Sequence, residues 1–161
     1  MLPELKDANP RTTLAAIEAF ERARDLVLPA SYKNFLLASN GGVPEAPIFP
    51  IRGMELNPVG DVQEFFGIDA EVDTSDLARN YDFYSGRVSA EIVPIACNSM
   101  ADYVCLDLRD DQERVVFWDH RPFWGTGEWR ESDLYHVADS FEEFLGSLRP
   151  IEDLEAFLPP Q

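Results

Sequence analysis

DYVCLDLRDDQERVVFWDH, residues 102 to 120, decides the fold. Its first seven residues alternate: Val104, Leu106 and Leu108 share one face, while Tyr103, Cys105 and Asp107 share the other. RDDQ reads as a turn, and ERVVFWDH (113 to 120) runs back along the first strand. Two β-rich runs separated by a short polar stretch form an antiparallel hairpin. Working outward, IVPIAC (92 to 97) reads as a buried strand before the hairpin, and YHVA (135 to 138) as one more strand after it.

Helical patterns flank these strands. TTLAAIEAFERARDL (12 to 26) places Leu14, Ile17, Phe20 and Ala23 on one side of a helix capped by Thr12 or Thr13. LPASYKNFLLASNGG (28 to 42) puts Pro29 at the first helical position and makes a stripe of Tyr32, Phe35 and Leu36. Asn40-Gly41-Gly42 ends that helix, because glycine tolerates the left-handed backbone found there. In SFEEFLGSL, Ser140 and Glu143 form a capping box, with Phe141, Phe144, Leu145 and Leu148 facing the core.

The remaining stretches are less regular. APIFPI (46 to 51) is an edge strand or extended loop, and DVQEFFGI (61 to 68) fits a strand or a helical turn. Residues 69 to 84 read as an acidic loop entering a short helix capped by Thr74 or Ser75. Residues 121 to 134 read as a loop, and IEDLEAFL as a short last helix after Pro150. The expected class is α+β: a single domain over residues 1 to 161, with a largely antiparallel sheet flanked by helices.

Composition bounds the function. Of 161 residues, 45% are hydrophobic, which suits one globular domain with a real core. Thirty acids against thirteen bases give a net charge of −17. That sign repels nucleic-acid phosphates and anionic membrane surfaces, so neither is an expected partner. It suits a basic protein partner, whose opposite field would speed encounter, and it equally serves plain solubility. No apolar run approaches the ~20 residues of a membrane span, and MLPELKDANPRTTL has no signal-like apolar core. Two cysteines, Cys97 and Cys105, suit a reducing interior, so the expected location is the cytoplasm.

Three blocks in order resemble one family. LPASYKNFLLASNGG is similar to the LP-x-x-Y-x-x-F-L-x-x-x-N-G-G pattern near the start of SUKH-superfamily domains. IVPIACNSMADYVCLDL followed by RVVFWDHR resembles the family's second block, and VADSFEEFLGSL its closing helix. The resemblance covers residues 14 to 148. One departure stands out. The family usually has a glycine-rich turn before the C-L-D-L strand, where this chain has Asn98-Ser99-Met100-Ala101, so the turn must use Asn98 or Ser99 or be longer. The resemblance implies an α+β domain without known catalysis. Bacterial members are largely immunity proteins that neutralise toxins, often nucleases, and fungal members are interaction hubs in cell-wall synthesis. The expectation is thus a monomeric or weakly dimeric immunity protein for a cognate toxin. The alternative is a regulatory or scaffold domain for an endogenous protein.

Catalytic and metal chemistry find little support in the residues. Cys97, Cys105, His120 and His136 are separated by seven, fourteen and fifteen residues, with no CxxC or HExxH pair. DAEVDT lacks the glycine and closing glutamate of a calcium loop. No cofactor fingerprint is present. Asp119-His120 is the strongest catalytic candidate, but strand neighbours point to opposite faces and do not pair as base and orienter. The expected role of the two residues is to end a strand and tether the next loop.

The candidate partner-binding residues are acidic and aromatic. From Glu55 to Asp82 stand Glu55, Asp61, Glu64, Asp69, Glu71, Asp73, Asp76 and Asp82, with Arg79 as the sole base. Residues 131 to 161 repeat that balance, with Arg149 as the sole Lys or Arg. Of the three tryptophans, Trp118 belongs on a strand and in the core, its indole N–H needing a partner. Trp124 and Trp129 are either a lid packed on the sheet, the preferred reading, or exposed anchors for a partner.

Overall fold

A computed structural model describes residues 2–158; Met1 and residues 159–161, part of the expected domain, lie outside the described residues. In chain order the elements are β1 (Leu5–Lys6), α1 (Leu14–Arg24), α2 (Ala30–Ala38), β2 (Val43–Pro44), β3 (Ile48–Pro50), β4 (Val59–Asp61), β5 (Glu64–Phe65) and α3 (Leu77–Phe83). Then follow β6 (Ile92–Cys97), β7 (Tyr103–Asp107), β8 (Arg114–Trp118), α4 (Arg121–Thr126), β9 (Leu134–Ala138) and α5 (Phe141–Ser147). Strands β5-β6-β7-β8-β9 form one five-stranded antiparallel sheet, and β1-β2 and β3-β4 are separate pairs. The fold is α+β.

The expected hairpin is the centre of the sheet. Tyr103 faces Trp118, Cys105 faces Val116 and Asp107 faces Arg114. Asp110 and Asp111 both take positive φ in the connecting turn, a conformation aspartate tolerates better than most residues. The alternation read from the sequence sorts residues between two cores. Val104, Leu106, Val115 and Phe117 join the larger cluster under α1, α2 and α5. Cys105, Val116 and Trp118 join a smaller one with Tyr84, Ile92 and Phe123 on the opposite face. The sheet is therefore covered on both sides, which is why both faces of β7 and β8 are largely buried, with Asp107 and Arg114 paired at one end.

Aromatic rings weld the larger core. Tyr32 and Phe141 meet at 5.0 Å, Phe35 and Phe65 at 5.0 Å, and Phe49 and Phe144 at 5.1 Å, in edge-to-face geometry. Asn40 closes the end of α2. Its side chain donates to the carbonyls of Pro10 and Ile68 and accepts from the N–H of Ile68, at 2.8 Å each. Gly41 follows at φ +77°, where an added Cβ would lie 2.5 Å from the Phe65 carbonyl oxygen. The Asn-Gly-Gly stretch is thus a three-way junction as well as a helix stop.

Several expectations are corrected. In α1 the buried stripe is Ile17, Phe20 and Glu21; Leu14 and Ala23 face solvent. Glu21 earns its burial by accepting the Leu28 N–H at 2.7 Å beside Lys33. Thr13, not Thr12, caps that helix, and Pro29 is the cap of α2 rather than its first residue. The cap of α3 is Asp76, not Thr74 or Ser75, because its carboxylate accepts the Arg79 N–H. The segment 61–68 is extended, carrying the end of β4 and β5. The stretch expected as loop at 121–134 contains α4, with Pro122 in its first turn and Gly127 ending it at φ +70°. The short last helix expected after Pro150 is present, as a 3-10 helix over Ile151–Phe157.

Candidate partner-binding surface

The acidic candidates fall into two groups. Five are occupied by the fold. Asp61 accepts both the N–H and the hydroxyl of Ser99, and Glu64 accepts the Ser75 hydroxyl at 2.8 Å. Asp76 caps α3 and also takes the Ala70 N–H. Asp73 pairs with Arg79 at 3.2 Å, and Asp82 holds Arg24 with both oxygens. Glu55, Asp69 and Glu71 are exposed and make no ion pair or side-chain hydrogen bond among the described residues. Glu64, Asp69, Glu71, Asp73 and Asp76 belong to the segment leading into α3, with Glu64 held to Ser75, whereas Asp61 is tied to the turn at Ser99 and Glu55 lies in the loop between β3 and β4.

The second acidic segment is partly consumed in the same way. Asp133 holds Arg130, and Glu131 reaches Arg109. Arg109 and Arg114 share Asp107 on the hairpin. Burial pushes the Asp107 carboxyl up, but the two guanidinium groups and the Arg109 N–H outweigh it and hold it below the usual carboxylate range.

The tryptophans separate. Trp118 is fully buried as expected, yet its indole N–H has no partner among the described residues. Trp129 is half-buried against the smaller core, in keeping with the lid reading. Trp124 is 68% exposed on α4, which overturns the lid for that residue. It lines an open groove of about 660 Å³ together with Phe83, Tyr84 and Tyr103, with Asp73, Arg79 and Asp82 also on its wall. Phe83, 59% exposed, escaped the sequence reading. A signal existed: it lies one residue from Tyr84 on a seven-residue helix, so both cannot face the sheet.

Beneath the groove His120 is 1% exposed inside a box of rings. Trp118 lies at 4.7 Å, Phe123 at 4.9 Å, Trp124 at 5.0 Å, and Tyr84 and Tyr103 at 5.3 Å. Neither ring nitrogen has a hydrogen-bond partner among the described residues. Burial, with the Arg87 charge beside it, lowers its pKa to about 4. The Asp119 carboxylate is turned to Arg121 at 2.9 and 3.0 Å, and those bonds hold it below its ordinary range. A histidine without an orienting carboxylate cannot act as the base of a triad. Asp119 donates its N–H to Asp133 and His120 donates its own to Asp102, so both tether the strand end. Cys105 is fully buried, and burial raises its thiol well above the ordinary value; Cys97 is pushed up to about 11 by burial and by Glu64. Both thiols are therefore protonated and weakly reactive near neutrality.

Among the described residues no group of three His, Cys, Asp or Glu side chains is arranged to hold a metal ion. No helix among them is long and apolar enough to cross a membrane.

The chain is 30% identical over 142 residues to the SPbeta prophage-derived uncharacterized protein YokK of Bacillus subtilis (strain 168), covering 78% of this chain and 69% of that protein. The model of the SMI1 / KNR4 family (SUKH-1) matches residues 11–147, which run from the start of α1 to the end of α5. With that match, and with the helix–junction–hairpin–helix order now visible in three dimensions, the chain belongs to the SMI1 / KNR4 family (SUKH-1).

Proposed function

We propose that the chain is an immunity protein: a cytoplasmic, non-catalytic binder, monomeric or weakly dimeric, that neutralises a cognate basic toxin through its acidic surface. Its family includes immunity proteins, is generally non-catalytic and binds protein partners. The observation that carries the reading is the exposed turn before α3. There Asp69 and Glu71 stand without cations among the described residues, next to Asp73 and Asp76, on a chain of net charge −17. Such a surface would fill the basic groove of a nuclease where substrate phosphates otherwise lie.

Co-expression with the product of a neighbouring gene tests it: the toxic product is tolerated only when this chain is present. Glu71→Lys with Asp69→Asn, which keeps a residue tolerant of the positive φ at position 69 (φ 53°), then slows association about fivefold at low salt and flattens its salt dependence, with the melting temperature unchanged. Asp76 is excluded from that set because its reversal would uncap α3. Undiminished toxicity in the presence of the chain overturns the immunity reading, and unchanged association overturns the acidic turn as its contact.

A further inference from the structure

We propose that the groove between α3 and α4 seats one arginine side chain of the partner protein, its guanidinium stacked on the Trp124 indole. The inference rests on the proposed basic partner and names the contact that anchors it.

The groove presents aromatic surface where a monomer gains nothing from it. Phe83 and Trp124 are the two large aromatic side chains most open to solvent, on a wall completed by the buried Tyr84 and half-buried Tyr103. Exposed aromatic pairs of this kind are typical anchors of protein interfaces. The molecule shows what such rings hold. Arg24 lies over Phe20 at 4.4 Å, Arg87 over Phe123 at 4.7 Å and Arg109 over Trp129 at 5.7 Å. Among the described residues, Phe83 and Trp124 carry no such guanidinium. A cation over an indole face is the most favourable of these contacts, and a planar guanidinium also stacks.

Two features prepare the seat. Trp124 packs one edge against the buried His120 at 5.0 Å and leaves the rest of its indole open to solvent, beside the buried Phe123. At the rim the Asp73 carboxylate is tied among the described residues only to Arg79, and both side chains are about two-thirds exposed. An exposed pair of that kind is weak, and an incoming guanidinium can take the carboxylate in exchange. Asp82 stays committed to Arg24.

The test uses the full chain labelled with nitrogen-15 and two small probes. These are acetyl-Gly-Arg-Gly-amide and its citrulline counterpart, which keeps the shape and lacks the charge. The arginine probe shifts the Trp124 indole resonance saturably in the millimolar range, and added salt weakens it. The citrulline probe binds at least fivefold more weakly, as a cation–aromatic contact requires. Phe83→Ala weakens the arginine response at the Trp124 indole, and Trp124→Ala weakens it as read instead at the Phe83 and Tyr84 amides; without probe, the spectral changes of each variant stay confined to the groove and the ring box below it, where Trp124 meets His120 and Phe83 meets Tyr84. Equal response to citrulline makes the groove a neutral apolar one and overturns the proposal. Response to inorganic phosphate through Arg79, or no response to the arginine probe, overturns it as well. Protection against the co-expressed toxin is scored separately, so loss of the groove contact with protection intact discards this inference and keeps the immunity reading.

Discussion

Asp102 accepts the backbone N–H of His120 at 2.9 Å, across eighteen residues of chain. The same carboxylate takes the Asn98 amide at 3.2 Å, while Asn98 accepts the N–H groups of Met100 and Asp102. One buried acid thus locks the turn before β7 to the end of β8, where α4 and Trp124 begin.

Removing that acid strands a buried N–H. Asp102→Ala costs about 2–3 kcal/mol, as expected for an unsatisfied buried donor. Asp102→Asn costs about half as much, because its carbonyl oxygen still accepts from His120 while its amide meets the Asn98 amide donor. Urea denaturation of the two variants reads the difference. Equal losses would mean that the bond to His120 is not the principal one.

His120 predicts an acid-sensitive stability. Its pKa is lowered to about 4 in the folded chain against about 6.5 unfolded. The unfolded chain therefore takes up this proton first. The contribution of neutral His120 is fully present above pH 6.5 and is lost as the pH falls toward 4. At pH 5 the loss is about 2 kcal/mol relative to pH 7.5. His120→Phe keeps the aromatic box and removes that part of the slope, which denaturation at the two pH values measures. An unchanged slope would place the titration elsewhere.

Asn40 carries more than a helix end. It makes three side-chain hydrogen bonds to backbone groups of two other segments while nearly fully buried. Asn40→Ala costs about 3 kcal/mol and loosens the segment around Pro10 and the turn at Ile68 together. Hydrogen exchange at the Ile68 amide reports this directly. Asn40→Asp fails almost as badly, since a carboxylate cannot donate to the Pro10 and Ile68 carbonyls.

The hairpin and the helix faces were legible because period-2 and period-3.6 patterns are local properties of the chain. Val104, Leu106, Ile17, Phe20 and Phe141 all sit where periodicity put them. What the pattern missed depends on long-range partners. Asp76 rather than Ser75 caps α3 because the Ser75 hydroxyl is spent on Glu64. α4 was hidden because Pro122, Gly125 and Gly127 weaken any helical signal, yet Phe123 anchors it in the smaller core. The acidic run gave the right sign of charge but not its allocation. Whether a carboxylate such as Asp61 serves a turn or faces solvent depends on Ser99, thirty-eight residues away.

The departure from the family pattern at Asn98–Ala101 has a measurable consequence. The turn closes through Asn98 and Asp102, and Ala101 is forced to φ +64°. An alanine there meets the steric penalty of the left-handed region, about 1–2 kcal/mol, which glycine avoids. Glycine also has more freedom to lose on folding, which offsets part of the relief. Ala101→Gly should therefore stabilise the chain by about 0.5–1 kcal/mol and raise the melting temperature by about 1–4 °C. The exposed Ala101 side chain leaves no cavity behind, so the change isolates backbone strain. Ala101→Val is the opposing control and destabilises, because a β-branched residue is poorly tolerated at positive φ. If the glycine variant melts at or below the parent temperature, the strain assigned to this turn is absent.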